Sequence, residues 1–334
     1  MKPLNAGIIG LGVGERHIAG YEAHSGCKVT ALCDQSRGKL AEVAKRHPGR
    51  RLTTRAADIL RDPDIQVVSI ASYDNFHKEQ VCEAVRRGKH VFVEKPLCLD
   101  RREAAAIRKA LDARPRVRMS SNLILRMSPR FIDLKARVRR GDLGAIYYSE
   151  GDYNYGRIHK ITEGWRGRIP YYSVMCGGGV HMIDTLLWTL GTEVEEVSAY
   201  GTRIATRGTR FKHPDCVSAL LKLKKHGIAK VVSNYSCVYP HHHLVSLYGT
   251  RGTFTNGLEG GRVITSRDPK ARPETLKTAY PGSAKGDLIP SFVRSILGEG
   301  RAGVDAEDIF RVMSVCFAAD ESVAKGRPVK VRSF

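Results

Sequence analysis

The sequence predicts an α/β fold class: a doubly wound parallel sheet over residues 1–122, then an α+β domain over 123–334. The second domain is expected to rest on a large, mostly antiparallel open sheet. Three observations predict this. Short apolar runs alternate with helical segments through the first domain, which implies a parallel sheet with right-handed crossovers. The first run ends in a glycine turn that opens a helix. After residue 122 the pattern changes to successive strands of alternating polar and apolar residues, as in an antiparallel sheet covered on one face.

Leu4 to Ile9 reads as a buried strand, followed by Gly10-Leu11-Gly12-Val13-Gly14-Glu15 and a helix to about His24. A strand, glycine turn and helix N-terminus bring backbone N–H groups close to a pyrophosphate, as in the Rossmann dinucleotide fold. Gly10 and Gly12 fit the G-x-G-x-x-G spacing, but Glu15 stands at the third position and Gly14 comes one place early. Gly10, Gly12, Val13 and Gly14 are therefore the expected phosphate cradle. Cys27 to Cys33 is the second strand and ends at Asp34, about 20 residues past the glycines, where an acid receives the adenosine ribose hydroxyls. Its charge disfavours a 2′-phosphate, so NAD is the expected cofactor, while Arg37 nearby keeps NADP open. A turn or N-cap role for Asp34 is the alternative.

Leu52-Thr53 starts a short third strand. Ile65 to Ala71 is a buried strand that ends in Ser72-Tyr73-Asp74-Asn75-Phe76-His77. Ser72, Asn75 and His77 thus fall on the carboxyl edge, where open α/β sheets bind ligands. Val91-Phe92-Val93 is another buried strand, stopped by Pro96, which places Glu94 and Lys95 on the same edge. The helix Arg101 to Leu111 and a last strand, Val117 to Ser120, complete the domain.

In the second half, helical periodicity runs from Pro129 to Arg139 and ends at Gly141. Ile146 to Tyr153, Val194 to Thr206, Val217 to Lys224, Ile228 to Cys237, Leu244 to Tyr248 and Arg262 to Thr265 read as strands. Between the first two lies Gly177-Gly178-Gly179-Val180-His181-Met182-Ile183-Asp184. A histidine beside a flexible glycine loop is a general-base candidate, and Asp184 shares its helical face. Tyr172 is nearby as a supporting group, and Tyr155, Trp165 and Arg166 are the candidate substrate contacts. His241-His242-His243 does not suggest a metal, because successive strand residues point to opposite faces; His241 or His243 is expected to line the pocket. The eight cysteines show no CxxC pair, which suits buried free thiols.

The glycine turn, the acid after strand two, Ala-Ser-x-x-Asn-x-x-His and Gly-Lys-His-Val-Phe-Val-Glu-Lys-Pro together resemble the glucose–fructose oxidoreductase / inositol dehydrogenase / rhizopine-catabolism (Gfo/Idh/MocA) family. The resemblance covers nearly the whole chain. It implies an NAD-dependent dehydrogenase acting on the secondary alcohol of a sugar, a sugar derivative such as a nucleotide sugar, or a cyclic polyol. Under it, Lys95 and His181 are the catalytic pair, Glu94 contacts the nicotinamide ribose, and Asn122 lies near the nicotinamide. Many members carry an aspartate where this chain has Gly177. Asp184 is the expected substitute, and Gly177→Asp is expected not to inactivate a folded enzyme. An NAD-dependent glycoside hydrolase and a non-catalytic dinucleotide sensor are the alternatives that the family offers.

The net charge is +21. Lys and Arg are spread along the chain without a basic tail or zinc-finger spacing, so no nucleic-acid partner is expected. Arg126, Arg157, Arg166 and Arg168 would suit an anionic substrate. No apolar run reaches the ~20 residues that span a bilayer, so no membrane partner is expected and a cytoplasmic location is. The remaining expectation is a small-molecule carbohydrate substrate and, by resemblance, a homodimer or homotetramer formed through the C-terminal sheet.

Overall fold

A computed structural model describes residues 2–334. The chain divides into two compact units. The first takes residues up to 124, together with 284–310 and 334; the second takes 125–283 and 311–333. The expected single boundary at 122 does not anticipate the return of 284–310, an apolar segment whose partners lie far away in sequence.

The first unit holds six strands: β1 (Leu4–Ile9), β2 (Cys27–Cys33), β3 (Arg51–Thr53), β4 (Val67–Ile70), β5 (His90–Val93) and β6 (Met119–Ser121). They run parallel in the order β3-β2-β1-β4-β5-β6. The order reverses between β1 and β4, the place where doubly wound sheets bind ligands. The residues of β4 are buried throughout, as a central strand covered on both faces requires. The helices are α1 (His17–Glu22), α2 (Arg37–Arg46), α3 (Ala56–Leu60), α4 (His77–Arg86) and α5 (Arg101–Asp112). Ser36 starts α2 and Asp100 starts α5, each accepting the N–H three residues on, from Lys39 and Glu103. The returning segment packs Phe292 5.9 Å from Phe92. A Cβ on Gly20 would lie 2.4 Å from the Gly286 carbonyl oxygen, so glycine at 20 is what lets this segment reach α1.

In the second unit, α6 (Pro129–Arg140) begins with proline in its first turn and ends at Gly141, whose φ of 76° closes the helix. Strands β7 (Ile146–Asn154), β8 (Val194–Thr202), β9 (Cys216–Leu223), β10 (Ile228–Asn234) and β11 (His242–Gly249) form the body of a nine-stranded sheet. β7 pairs parallel with β10, and the other pairs are antiparallel. In β9, Val217, Ala219, Leu221 and Leu223 are buried while Ser218, Leu220 and Lys222 are exposed. The buried face carries α8 (Val180–Leu190, after the one-turn α7, His159–Thr162). Gly151 of β7 lets that helix approach: a Cβ there would lie 3.0 Å from Cβ of Met182. Two short strands, Thr253–Gly257 and Glu274–Leu276, and the helix Ile289–Leu297 were not expected; the strands are too short or too polar for periodicity to mark, whereas the helix carries a clear apolar face that was overlooked.

No helix among the described residues is long and apolar enough to cross a membrane.

Candidate functional site

The chemistry-bearing residues fall into two groups, one in each unit. In the first unit they gather on the carboxyl edge of the parallel sheet. Gly10 has φ 88°, and a Cβ there would lie 2.3 Å from the Ala71 carbonyl oxygen, so only glycine passes between β1 and the end of β4. A Cβ on Gly12 would meet nothing within 4 Å, so the turn opens a space at that point. Gly14 performs the packing task of a third glycine: a Cβ there would lie 2.8 Å from Ile8. Glu15, the residue that breaks the spacing, points outward to Arg46 at 2.7 Å. Val13 is partly exposed on the turn.

Asp34 receives the Leu11 N–H at 2.8 Å through Oδ2 and the Ser36 N–H at 2.9 Å through Oδ1. The carboxylate therefore fixes the glycine turn to the end of β2, and each oxygen keeps a lone pair for a ribose hydroxyl. Ser72 donates to Gln80 at 2.8 Å. Asn75 and Asn122 each carry a buried Oδ1 with no partner in the protein. These orphaned acceptors and the open space at Gly12 fit a dinucleotide, which would satisfy the first and fill the second.

His77 corrects the expectation of a cofactor contact. Its ring is fully buried, with Nδ1 2.8 Å from the Pro96 carbonyl and Nε2 3.2 Å from the Ser72 carbonyl. It holds the loop after β4 to the turn after β5 and positions both.

Glu94 lies in a buried chain that sequence reasoning missed. Ser69 bonds Nδ1 of His17 at 2.8 Å, and Nε2 of His17 lies 3.2 Å from Oε1 of Glu94. Asn122 Nδ2 donates to the same oxygen at 2.6 Å and to the Lys285 carbonyl at 3.0 Å. Burial pushes the Glu94 carboxyl up; the His17 hydrogen bond, the Lys285 charge and the Asn122 amide outweigh it and hold the group at about 2. The one available signal was that His17 follows the glycines on the first helix. Lys95, beside Glu94, is partly buried at the strand end.

The second group surrounds His181, the second residue of α8 and 5% exposed. The three glycines before it form no flexible loop. Met175–Gly179 is a buried π-helical turn running straight into α8. Glycine is required there by side chains: a Cβ on Gly178 would lie 2.4 Å from the Tyr153 ring, and one on Gly177 would lie 2.0 Å from Oη of Tyr172. Tyr153 stacks on His181 with ring centres 5.9 Å apart and lies 5.2 Å from His241 and 5.4 Å from His243. Tyr155 is 4.7 Å from Tyr235. Oη of Tyr172 accepts from Nε of Arg166 at 2.9 Å and lies 3.2 Å from Oη of Tyr235. Arg166 lies over Trp165 at 4.6 Å.

Tyr155, Trp165, Arg166, Tyr172 and His181 are thus brought together, and Tyr153 and Tyr235 join them unforeseen. His241 and His243 share the cluster, while His242 faces away toward Tyr280. No metal-holding group of His, Cys, Asp and Glu occurs among the described residues. Cys176 is buried and its thiol is raised well above its usual range, with the Cys316 thiol and burial the main causes. Asp184 takes the Arg126 guanidinium on both oxygens, at 2.6 and 3.1 Å, so the acid on the helical face of His181 is also the counter-ion of that arginine. The pairing offsets the charge that Arg126 was expected to offer an anionic substrate.

Comparison with known proteins accords with this layout. Residues 4–121 match the model of the oxidoreductase family with an NAD-binding Rossmann fold, and residues 131–255 match the Gfo/Idh/MocA C-terminal domain. Among curated proteins, inositol 2-dehydrogenase 3 of Saccharopolyspora erythraea is 25% identical over 98% of this chain and 95% of its own. The uncharacterized oxidoreductase YrbE of Bacillus subtilis is 25% identical over 99% and 97%. Among solved structures, a levoglucosan dehydrogenase in complex with NADH and levoglucosan has a TM-score of 0.85 at 22% identity, covering 99% of this chain and 100% of that one. The scyllo-inositol dehydrogenase of Lactobacillus casei, with NAD(H) and scyllo-inositol bound, has a TM-score of 0.79 at 22% identity and covers 99% of each. The chain belongs to the Gfo/Idh/MocA family of NAD-binding oxidoreductases.

Proposed function

We propose that this protein transfers a hydride between NAD and a secondary alcohol of a sugar, a sugar derivative or a cyclic polyol. The observation that carries the reading is the pairing of a complete dinucleotide cradle, Gly10 to Gly14 with Asp34, with a histidine set in a wall of tyrosines. Bound NAD supplies the hydride acceptor. The Gly10–Gly14 backbone holds the pyrophosphate, and Asp34 receives the adenosine ribose. Glu94, kept ionised by His17 and Asn122, accepts from the nicotinamide ribose. His181 takes the proton of the substrate hydroxyl as general base, and Lys95 donates to the same oxygen and stabilises the developing alkoxide.

Three of the relatives named above are named as inositol or levoglucosan dehydrogenases, and compounds of that class are the first to try. The test is a screen of sugars, sugar acids, inositols and nucleotide sugars, read by NADH absorbance. Turnover that depends on Lys95 and His181 supports the reading. Release of an aglycone without net reduction of NAD, or NAD binding without turnover of any compound, overturns it.

A further inference from the structure

We propose that the substrate carries a phosphate group, as a sugar or cyclic-polyol phosphate or a nucleotide sugar, and that two touching basic loops of the second unit, residues 156–170 and 203–213, receive it. This deepens the proposed function and rests on it.

The two loops hold eight Lys and Arg, four in each, against one acid, Glu163. The excess of seven is a third of the net charge of +21. Arg166 aside, the other seven cations form no ion pair among the described residues. Elsewhere the chain pairs its surface cations: Arg46 with Glu15 at 2.7 Å, Arg137 with Glu274 at 2.6 Å and Lys224 with Glu193 at 2.6 Å. Two acids near the loops are committed to the fold. Asp215 is 1% exposed and accepts the Thr206 N–H and O–H at 2.9 Å each and the Ser236 hydroxyl at 3.0 Å. Asp320 accepts from Ser173 at 2.9 Å and from Tyr171 at 3.1 Å. Neither is turned toward the exposed Arg157, Lys160, Arg168, Arg207, Arg210 and Lys212.

The loops are built and they meet. The Asp215 bonds, with Thr209 donating to the Thr206 carbonyl at 2.8 Å, fix the turn that carries Arg207 and Arg210. A Cβ on Gly167 would lie 3.5 Å from Cγ of Arg210, and His213 donates through Nε2 to the Pro170 carbonyl at 3.0 Å. Like charges are therefore concentrated on one ordered surface, a self-repulsion that a bound anion relieves. That surface adjoins the His181 group. Arg157 lies 5.3 Å over Tyr155, whose ring is followed by Tyr153 at 5.6 Å and then His181 at 5.9 Å. Phe211, between Arg210 and Lys212, meets Tyr172 at 6.4 Å. A small ligand with a sugar or polyol at one end and an anionic group at the other fits this arrangement. A single carboxylate neutralises one charge, whereas a phosphate brings up to two and pairs with guanidinium in parallel bonds.

The test is calorimetric titration of the NADH-saturated protein with D-glucose 6-phosphate and UDP-glucose against D-glucose, and with a myo-inositol monophosphate against myo-inositol. At least one phosphorylated compound is expected to bind at least about tenfold more tightly than its partner at low salt. The preference should shrink between ~10 mM and about 0.15 M salt, as the Debye length falls from ~30 to ~8 Å. A preference for the monophosphates identifies a phosphate ester, and one for UDP-glucose alone a nucleotide diphosphate; either supports the proposal. Arg207→Ser with Arg210→Ser should reduce the preference to about threefold or less, and Arg157→Ser with Lys160→Ser on the other loop should act in the same direction. NADH affinity should hold in both double variants, and their melting temperatures should equal or exceed wild type, since repelling charges have been removed. Equal binding within every pair, a preference that survives both double variants, or tighter binding of an RNA or DNA oligonucleotide than of every phosphorylated compound overturns the proposal. Phosphate-selective binding with no NAD reduction by any compound leaves the basic surface standing and overturns the dehydrogenase reading instead. NAD reduction by unphosphorylated compounds alone does the reverse.

Discussion

Gly177→Ala adds one carbon at the most crowded point beside His181. That carbon would lie 2.0 Å from Oη of Tyr172 and 2.7 Å from Oη of Tyr235. An ordinary contact needs ~3.5 Å, so the Tyr172 hydroxyl must retreat by roughly 1.5 Å. The ring has nowhere to go: it is 1% exposed and edge-on to Trp165 at 6.2 Å, to Tyr235 at 6.2 Å and to Phe211 at 6.4 Å. Retreat also breaks its bond from Arg166. Overpacking costs ~1–3 kcal/mol and a lost bond to a charged donor ~1.5–3 kcal/mol, so the expected loss is about 2.5–6 kcal/mol. In a chain of this size that is a fall of melting temperature of about 4–9 °C. Thermal unfolding followed by circular dichroism measures it. Adding Tyr172→Phe, which removes the clashing oxygen, should make the double variant less damaged than the sum of the singles by ~1 kcal/mol or more. Gly177→Asp should be worse than Ala, since it buries a carboxylate in the same gap; this reverses the expectation from sequence. A Gly177→Ala protein that melts within about 1 °C of wild type would refute the reasoning.

Three further outcomes are expected. Asp34→Ala should weaken NADH binding by ~10-fold or more, through the lost ribose bonds and the released Leu11 N–H, and should narrow any preference over NADPH; unchanged affinity by fluorescence titration would assign Asp34 to the turn alone. Lys95→Ala and His181→Ala should each lower kcat/KM by ~10²–10⁴-fold with NADH affinity nearly unchanged; near wild-type turnover removes the residue from the mechanism. Glu94, at about 2 in the folded protein against an ordinary 4.5, contributes stability that is present above pH ~4.5 and lost as pH falls toward 2. Glu94→Gln should therefore lower stability at pH 7 and show a shallower loss between pH 4.5 and 2.5. Parallel acid unfolding curves for the two proteins would deny the buried chain its part.

The legible parts were those written in local pattern. The parallel strands announced themselves as apolar runs, and Gly10, Asp34 and Lys95 lay where a strand end must place them. Gly14 looked like a flaw in the motif because spacing does not report that its missing Cβ faces Ile8. His17 and Asn122 could not be joined to Glu94 from sequence, since strand order alone brings together residues 77 and 28 positions apart. His77 was misjudged because a polar residue on a ligand edge looks the same whether it faces the ligand or a carbonyl. Helical spacing gave Asp184 its place on the His181 face but could not show the pairing with Arg126, 58 residues away. The glycines at 177–179 read as mobile and are instead buried and closely packed, because room for Tyr153 and Tyr172 is a property of other strands and loops.

The returning segment 284–310 has a bearing on how the protein is made. The dinucleotide unit needs Gly286 against Gly20, Phe292 near Phe92 and the Lys285 carbonyl for Asn122. A ribosome that has released residues 1–124 has therefore not yet delivered the unit. Until the segment emerges, the apolar surface around Phe92 stays open while residues 125–283 of the second unit are synthesised, which at ~5–20 residues per second is an interval of roughly eight to thirty seconds. Residues 1–124 expressed alone should be prone to aggregate and bind NADH poorly, and adding a peptide of residues 284–310 should recover part of both. Cofactor capture is thereby deferred to a late stage of synthesis, when the residues around His181 have already been made.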